Sequence, residues 1–256
     1  MHLSLPRLSA ESVHSAHGRG SVQALALQEI TKCFGPVQAL RGVSLTVGDG
    51  EALAVFGPNG AGKTTLLKIA ATLMRPTSGT FRILGADPSH QAPQLRRLIG
   101  LVSHQSYLYA GLTGFENLLF TARMYGVPDA RARAHALLET VGLSHRGGDL
   151  VRTYSRGMTQ RLSIARALVH DPRILLLDEP FTGLDRQAAM AFRDLLLAMR
   201  GTRAIILTTH SIEQGVAVSD RVAILVDGAV AYEAENGARD VGTVERVYAQ
   251  CVGVPA

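Results

Sequence analysis

Val55-Phe56-Gly57-Pro58-Asn59-Gly60-Ala61-Gly62-Lys63-Thr64-Thr65 fits the phosphate-cradle pattern G-x-x-x-x-G-K-[ST] without a mismatch. Residues 52–56 before it form an apolar run that ends at a glycine, and Thr65-Leu66-Leu67-Lys68-Ile69-Ala70-Ala71 after it has helical composition. Strand, loop and helix are the context this motif needs. The glycines let successive backbone N–H groups curl around a phosphate, and the helix N-terminus adds partial positive charge. Gly57, Pro58, Asn59, Gly60, Ala61, Gly62, Lys63, Thr64 and Thr65 are therefore read as contacts to ATP. Lys63 reaches the β- and γ-phosphates, and Thr64 offers its hydroxyl to Mg²⁺. The glycine spacing does not fit the dinucleotide fingerprint G-x-G-x-x-G.

Working outward, short β segments are expected at 25–34, 37–47 and 79–84, forming an antiparallel flap on a nucleotide core. After Leu98-Ile99-Gly100-Leu101-Val102 the pattern turns helical. Thr113-x-x-Glu116 predicts a capping box, and Asp129 is expected to cap a second helix in which Ala134, Leu137, Leu138 and Val141 recur at helical spacing. This marks an inserted helical subdomain at about 107–167. Apolar strands then resume at 173–177, 204–207 and 221–225, and near-continuous apolar strands alternating with helices predict a parallel sheet covered on both faces. In such a sheet ligands sit beyond the carboxyl ends of the strands. Gly57, Gln105, Asp178 with Glu179, and His210 each follow an apolar strand, so all are expected on one edge. The expected division is a disordered tail at 1–22, an ATPase domain at 23–236, and a C-terminal tail or helix at 237–256.

The formal charge of +5 comes mostly from arginine, since Lys32, Lys63 and Lys68 are the only lysines. These arginines are spread along the chain, so a solvated surface is expected and no nucleic-acid partner. Cys33 and Cys251 lie far apart without C-x-x-C spacing, which suits a reducing cytoplasm and inert thiols. No apolar run approaches the ~18 residues of a membrane span, and the first twenty residues lack a signal peptide's apolar segment. His14 and His17 in that tail have metal-ligand spacing without further ligands around them.

Asp178, at the end of an apolar strand, is placed to hold Mg²⁺, and Glu179 beside it to take a proton from an attacking water. Pro180-Phe181-Thr182-Gly183-Leu184-Asp185 follows, and Tyr154-Ser155-Arg156-Gly157-Met158-Thr159-Gln160-Arg161-Leu162-Ser163 stands upstream. Together these residues resemble the ATP-binding cassette (ABC) family of ATPases over about 25–228. The resemblance implies an α/β fold: a P-loop NTPase (RecA-like) core with an N-terminal antiparallel β flap and an inserted helical subdomain. It also implies roles residue by residue. Phe34 would stack on adenine; Gln105 would ligate Mg²⁺ and report to a transport partner; Asp185 would link two active sites; and His210 would act near the γ-phosphate. Ser155 and Gly157 would contact the γ-phosphate held by a second copy, so that one active site needs two chains. The family's commonest signature is Leu-Ser-Gly-Gly-Gln, and here Tyr154, Arg156 and Met158 depart from it. Arg156 is expected to face solvent or to add charge near that phosphate.

A finer likeness lies in residues 101–118, in Met124-Tyr125-Gly126-Val127 and in the Tyr-Ser-Arg-Gly-Met variant, which resemble the ATP-binding subunits of the haem exporter of cytochrome c maturation. Subunits that drive drug, lipid or polysaccharide exporters share the Leu-Thr-x-x-Glu-Asn segment. The implied protein is an ATPase on the cytoplasmic face of the cell membrane, a homodimer in its ATP state, with integral membrane transporter subunits as partners. A non-transport ABC assembly ATPase is the alternative. Tyr107, Leu108, Tyr109 and Leu112 crowd a loop that ought to be polar, which points to a docking surface there.

Overall fold

The computed structural model describes residues 23–234 and 240–253, so the tail expected at 1–22 lies outside the described residues. Nine strands and eight α-helices follow one another among the described residues. The first two strands, β1 (Gln23–Phe34) and β2 (Val37–Gly48), pair antiparallel, and β4 (Ser78–Ile83) joins the other edge of β1. This three-stranded sheet is the flap expected from the sequence.

The second sheet has six strands. Its members are β3 (Ala52–Phe56), β5 (Ile99–Val102), β6 (Ile174–Asp178), β7 (Ala204–Thr208), β8 (Arg221–Val226) and β9 (Ala229–Ala234). They run in the order β5-β6-β7-β3-β8-β9. All adjacent pairs are parallel except β8 with β9, which close as an antiparallel hairpin at the edge.

Because side chains alternate along a strand, an apolar run can feed two cores at once. Ala52, Ala54, Phe56, Leu175, Leu177, Ile205 and Leu207 enter one core. Leu53, Val55, Ile174, Leu176, Ala204 and Ile206 enter the other. The first core is covered by α3 (Gly114–Met124), α4 (Ala130–Thr140), α5 (Arg156–Leu168), α6 (Arg186–Met199), α7 (Ile212–Val218) and α8 (Val241–Val252). The second is covered by the flap, α1 (Lys63–Ala70) and α2 (Pro88–Arg96).

Helix α3 starts with the expected capping box. Thr113 Oγ1 accepts from Glu116 N at 3.1 Å, and Glu116 Oε2 accepts from Thr113 N at 2.8 Å. Asp129 differs from expectation: it precedes α4, but its backbone sits at φ 47°, and its side chain makes no capping bond. That backbone turn, entered from Val127-Pro128, aims the carboxylate away from the first-turn N–H groups it would have to reach.

Candidate functional site

Register brings the chemistry together. Val55 of β3 and Asp178 of β6 both pair with Thr208 of β7, so three strands end in one row. From the end of β3 the chain turns through the phosphate loop into α1. Gly57 is required there, because a Cβ at this position would overlap the Leu225 carbonyl oxygen. Residues 58–65, with Ala39, Asp178 and Glu179, line a cavity of about 230 Å³.

Lys63 is 8% exposed, and its ammonium donates to the carbonyls of Gly57 at 2.5 Å and Pro58 at 3.0 Å. Burial lowers its pKa, and the facing carboxylates of Glu179 and Asp178 offset part of that effect. Asp178 is 5% exposed and accepts two hydroxyl hydrogen bonds, from Thr64 Oγ1 at 2.9 Å and Thr208 Oγ1 at 2.7 Å. A buried carboxylate beside a hydroxyl oxygen is a hard-oxygen donor set, which fits Mg²⁺.

Glu179 leaves the strand with φ 50°, a left-handed backbone that costs a non-glycine residue on the order of 1 kcal/mol. Its N–H donates to the Thr208 carbonyl at 3.0 Å. Its Oε2 lies 2.8 Å from His210 Nδ1, across from the end of β7. Strain thus turns the carboxylate off the strand and toward the imidazole.

A second cleft, of about 370 Å³, adjoins the first at Asp178 and Glu179 and is lined on its other side by Tyr154, Arg156, Thr159 and Gln160. Ser155 caps α5, its Oγ accepting from Met158 N at 3.2 Å. Gln160 Nε2 donates to the Pro180 carbonyl at 2.9 Å, tying this helix to the segment after Glu179. Gly157 packs so closely there that a Cβ would come to 2.9 Å from the Gly183 carbonyl oxygen. The Tyr154 departure has a local cause: its hydroxyl donates to the Arg146 carbonyl at 2.7 Å, anchoring the turn before α5 inside the helical subdomain.

Lys63, Thr64, Asp178, Glu179 and His210 are therefore joined around one row of strand ends, and Ser155 and Gly157 stand at the start of α5. Gln105 is exposed and outside both linings. The turn after β5, held by Ser103 Oγ donating to the Gln105 carbonyl at 2.8 Å, presents His104 and Ser106 to the second cleft instead. Phe34 is exposed at the β1–β2 turn, also outside the cavity lining, with the Lys32 ammonium 5.3 Å from its ring centre. Asp185 caps α6, accepting from Ala188 N at 2.8 Å.

Sequence reasoning missed Thr208, which holds both Asp178 and the Glu179 backbone. Its only signal was its place at a strand end beside Thr209 and His210. It also missed the polar floor of a groove of about 270 Å³ between the core and α3. Leu73, Tyr107, Tyr109, Phe120 and Met124 are exposed along this groove. At its base Arg166 Nη2 donates to the Leu101 carbonyl at 2.9 Å, beneath the Tyr107 ring. His170 stacks on Tyr125 with ring centres 4.0 Å apart and lies 3.0 Å from the Ile99 carbonyl through Nε2. Burial pushes the His170 pKa down to about 4.

Residues 40–182 match the family model described as ABC transporter. The daunorubicin/doxorubicin resistance ATP-binding protein DrrA of Streptomyces peucetius is 36% identical over 84% of this chain and 66% of its own length. The ABC transporter ATP-binding protein NatA of Bacillus subtilis is 38% identical over 77% of this chain and 81% of its own. This chain thus spans about two thirds of DrrA's length. A dimeric ATP-binding cassette in a post-hydrolysis state, bound to ADP and Pi, superposes with a TM-score of 0.77 at 29% identity, covering 82% of this chain and 98% of that one. DrrA is named for drug resistance and NatA as an ABC transporter ATP-binding protein, and the narrower likeness to the haem exporter gains no support from these relatives. Motif, fold and relatives agree that the chain belongs to the ABC transporter family and is an ATPase of the ATP-binding cassette type.

Proposed function

We propose that this chain is the ATP-hydrolysing subunit of an exporter, closing as a homodimer on two MgATP and pulling on membrane subunits supplied by other chains. The observation that carries the reading is the connected set Thr64, Asp178, Thr208, Glu179 and His210 at the ends of adjacent strands, with Lys63 held on the loop carbonyls beside it. Lys63 and the loop N–H groups hold the phosphates. Thr64 and Asp178 would hold Mg²⁺, which supplies charge neutralisation on the phosphate oxygens. Glu179 takes the proton of the attacking water, with His210 fixing its orientation. Phe34 stacks on adenine, Gln105 reaches the metal when the loop after β5 closes, and Ser155, Gly157 and Asp185 meet the second copy.

Among the described residues no helix is long and apolar enough to cross a membrane. On this reading the transport path belongs to partner subunits at the membrane, and the apolar groove beside the Gln105 loop is the surface that fits them. A relative named for daunorubicin and doxorubicin resistance favours a drug-like cargo, whereas haem rests on the likeness of the loop segments and the Tyr-Ser-Arg-Gly-Met variant. Single cysteines at 108–112, introduced into protein whose Cys33 and Cys251 are replaced by serine and held in native membranes, test the docking. Crosslinks should reach an integral membrane protein, and crosslinks formed only within the chain would overturn it.

A further inference from the structure

Asp178 is held at both of its carboxylate oxygens, by hydroxyls from two different elements. Thr64 Oγ1, on α1, donates to Oδ2 at 2.9 Å, and Thr208 Oγ1, on β7, donates to Oδ1 at 2.7 Å. One such bond would not set the plane of the carboxylate, because the terminal torsion of an aspartate is broad. Two bonds on opposite oxygens do set it. Thr208 is the fixed end of the pair: it is fully buried, pairs with Asp178 of β6 on one side and Val55 of β3 on the other, and has a β-branch that stiffens χ1. Packing does not require a hydroxyl here, since Ala204, Ile205, Ile206 and Leu207 fill the same buried strand with apolar groups. The same residue also reaches Glu179. The Glu179 N–H, in a left-handed backbone at φ 50°, is shared between the Thr208 carbonyl at 3.0 Å and the Thr208 hydroxyl oxygen at 3.3 Å. One hydroxyl thus gives its proton to the first carboxylate and a lone pair to the backbone of the second.

We propose that Thr208 is a positioning residue of the hydrolytic site: its hydroxyl fixes the plane in which Asp178 presents an oxygen to Mg²⁺ and, through the shared N–H, the direction in which Glu179 leaves the strand. The inference rests on the reading above, in which Asp178 holds Mg²⁺ and Glu179 is the base. Thr208 lines neither cleft, so it acts through these two residues and not on the nucleotide. Thr64 is itself read as a metal ligand, so Thr208 is the one of the two hydroxyls whose place does not depend on the metal.

The test compares three variants of the full chain. Thr208→Val keeps the branched shape without the hydroxyl, and Thr208→Ser and Thr208→Ala differ from each other only in the hydroxyl. Affinity for a non-hydrolysable ATP analogue is measured by calorimetry in excess Mg²⁺ and in EDTA, beside steady-state hydrolysis and Tm. Removing a partner of a metal-holding carboxylate typically costs about 10- to 100-fold in metal affinity or activity. Thr208→Val and Thr208→Ala should therefore lose about tenfold or more both of the affinity that Mg²⁺ adds and of kcat, with affinity in EDTA unchanged. Thr208→Ser should recover most of both, because it keeps the hydroxyl. If Thr208→Val does not fold, the Ser and Ala variants decide alone. A wild-type Mg²⁺ increment and kcat in the variants without the hydroxyl, whatever their Tm, would overturn the inference, and so would equal losses in Thr208→Ser and Thr208→Ala. Asp178→Asn serves as the control: a full Mg²⁺ increment in that variant would overturn the metal reading itself, and this inference with it.

Discussion

The cradle and the start of α5 treat their polar groups in opposite ways. At the cradle the groups already bind one another: Lys63 to loop carbonyls, Thr64 and Thr208 to Asp178, His210 to Glu179. At the start of α5 the cap is made, but Arg156 and the exposed face of Ser155 point outward. The first arrangement is preorganised, and on the proposed reading a triphosphate takes over contacts that are already in place. The second is a donor set without an acceptor, and on the proposed reading its acceptor arrives on another chain. One molecule then holds two half-sites of different character, one rigid and one waiting.

The largest effect should come from the rigid half. On the proposed reading Glu179→Gln keeps the shape of the side chain and removes the base, so turnover should fall about 10²- to 10⁴-fold while MgATP affinity is retained. Steady-state hydrolysis with equilibrium binding checks both. Normal turnover in this variant would move the base elsewhere.

The next effect lies at the seam where the helical half meets the sheet. His170 titrates at about 4 in the folded chain against 6.5 in its ordinary state. As pH falls the unfolded chain therefore takes its proton first, so the stability held by neutral His170 is complete above about 6.5 and drains away as pH falls from 6.5 toward 4. The loss amounts to about 3 kcal/mol. Denaturant titrations at pH 7 and pH 4.5 should show this slope in wild type and a flatter one in His170→Gln. An equal slope in both would remove His170 as its source.

A smaller effect belongs to the waiting half. Tyr154→Phe deletes the hydroxyl that donates to the Arg146 carbonyl and should cost about 1 kcal/mol, read as a Tm a few degrees lower with MgADP affinity unchanged. An unchanged Tm would mean that the hydroxyl does not anchor the turn before α5.

What could be read in advance follows the same divide. The phosphate loop was legible because its requirements are local: glycines, a lysine and a hydroxyl within eleven consecutive positions. The Thr113–Glu116 capping box was legible for the same reason. The three strand-end positions Gly57, Asp178 and His210 followed from apolar runs that each stop at a polar or flexible residue. Thr208 was not legible, because its role is fixed by register to β6 and β3. The groove was hidden too, since Leu73, Tyr107, Phe120 and His170 come from separate elements, and only the Tyr107 end showed as an oddly apolar loop. Helix α2 escaped notice because Pro93 sits inside it, and Gln91 departs there from helical geometry. The β8–β9 hairpin carried an Asp227-Gly228 turn signal that the short, mixed strand after it obscured. Asp129 shows the converse, a capping residue by type whose backbone turns the side chain away.

The measurement that bears most directly on two half-sites sharing one nucleotide is the mass of Glu179→Gln in saturating MgATP and, separately, in MgADP. Twice the single-chain mass with MgATP and the single-chain mass with MgADP are expected, because on the proposed reading only the triphosphate reaches from the Lys63 loop of one copy to Ser155 and Gly157 of the other. A single-chain mass in saturating MgATP, with the nucleotide shown to be bound, would contradict it.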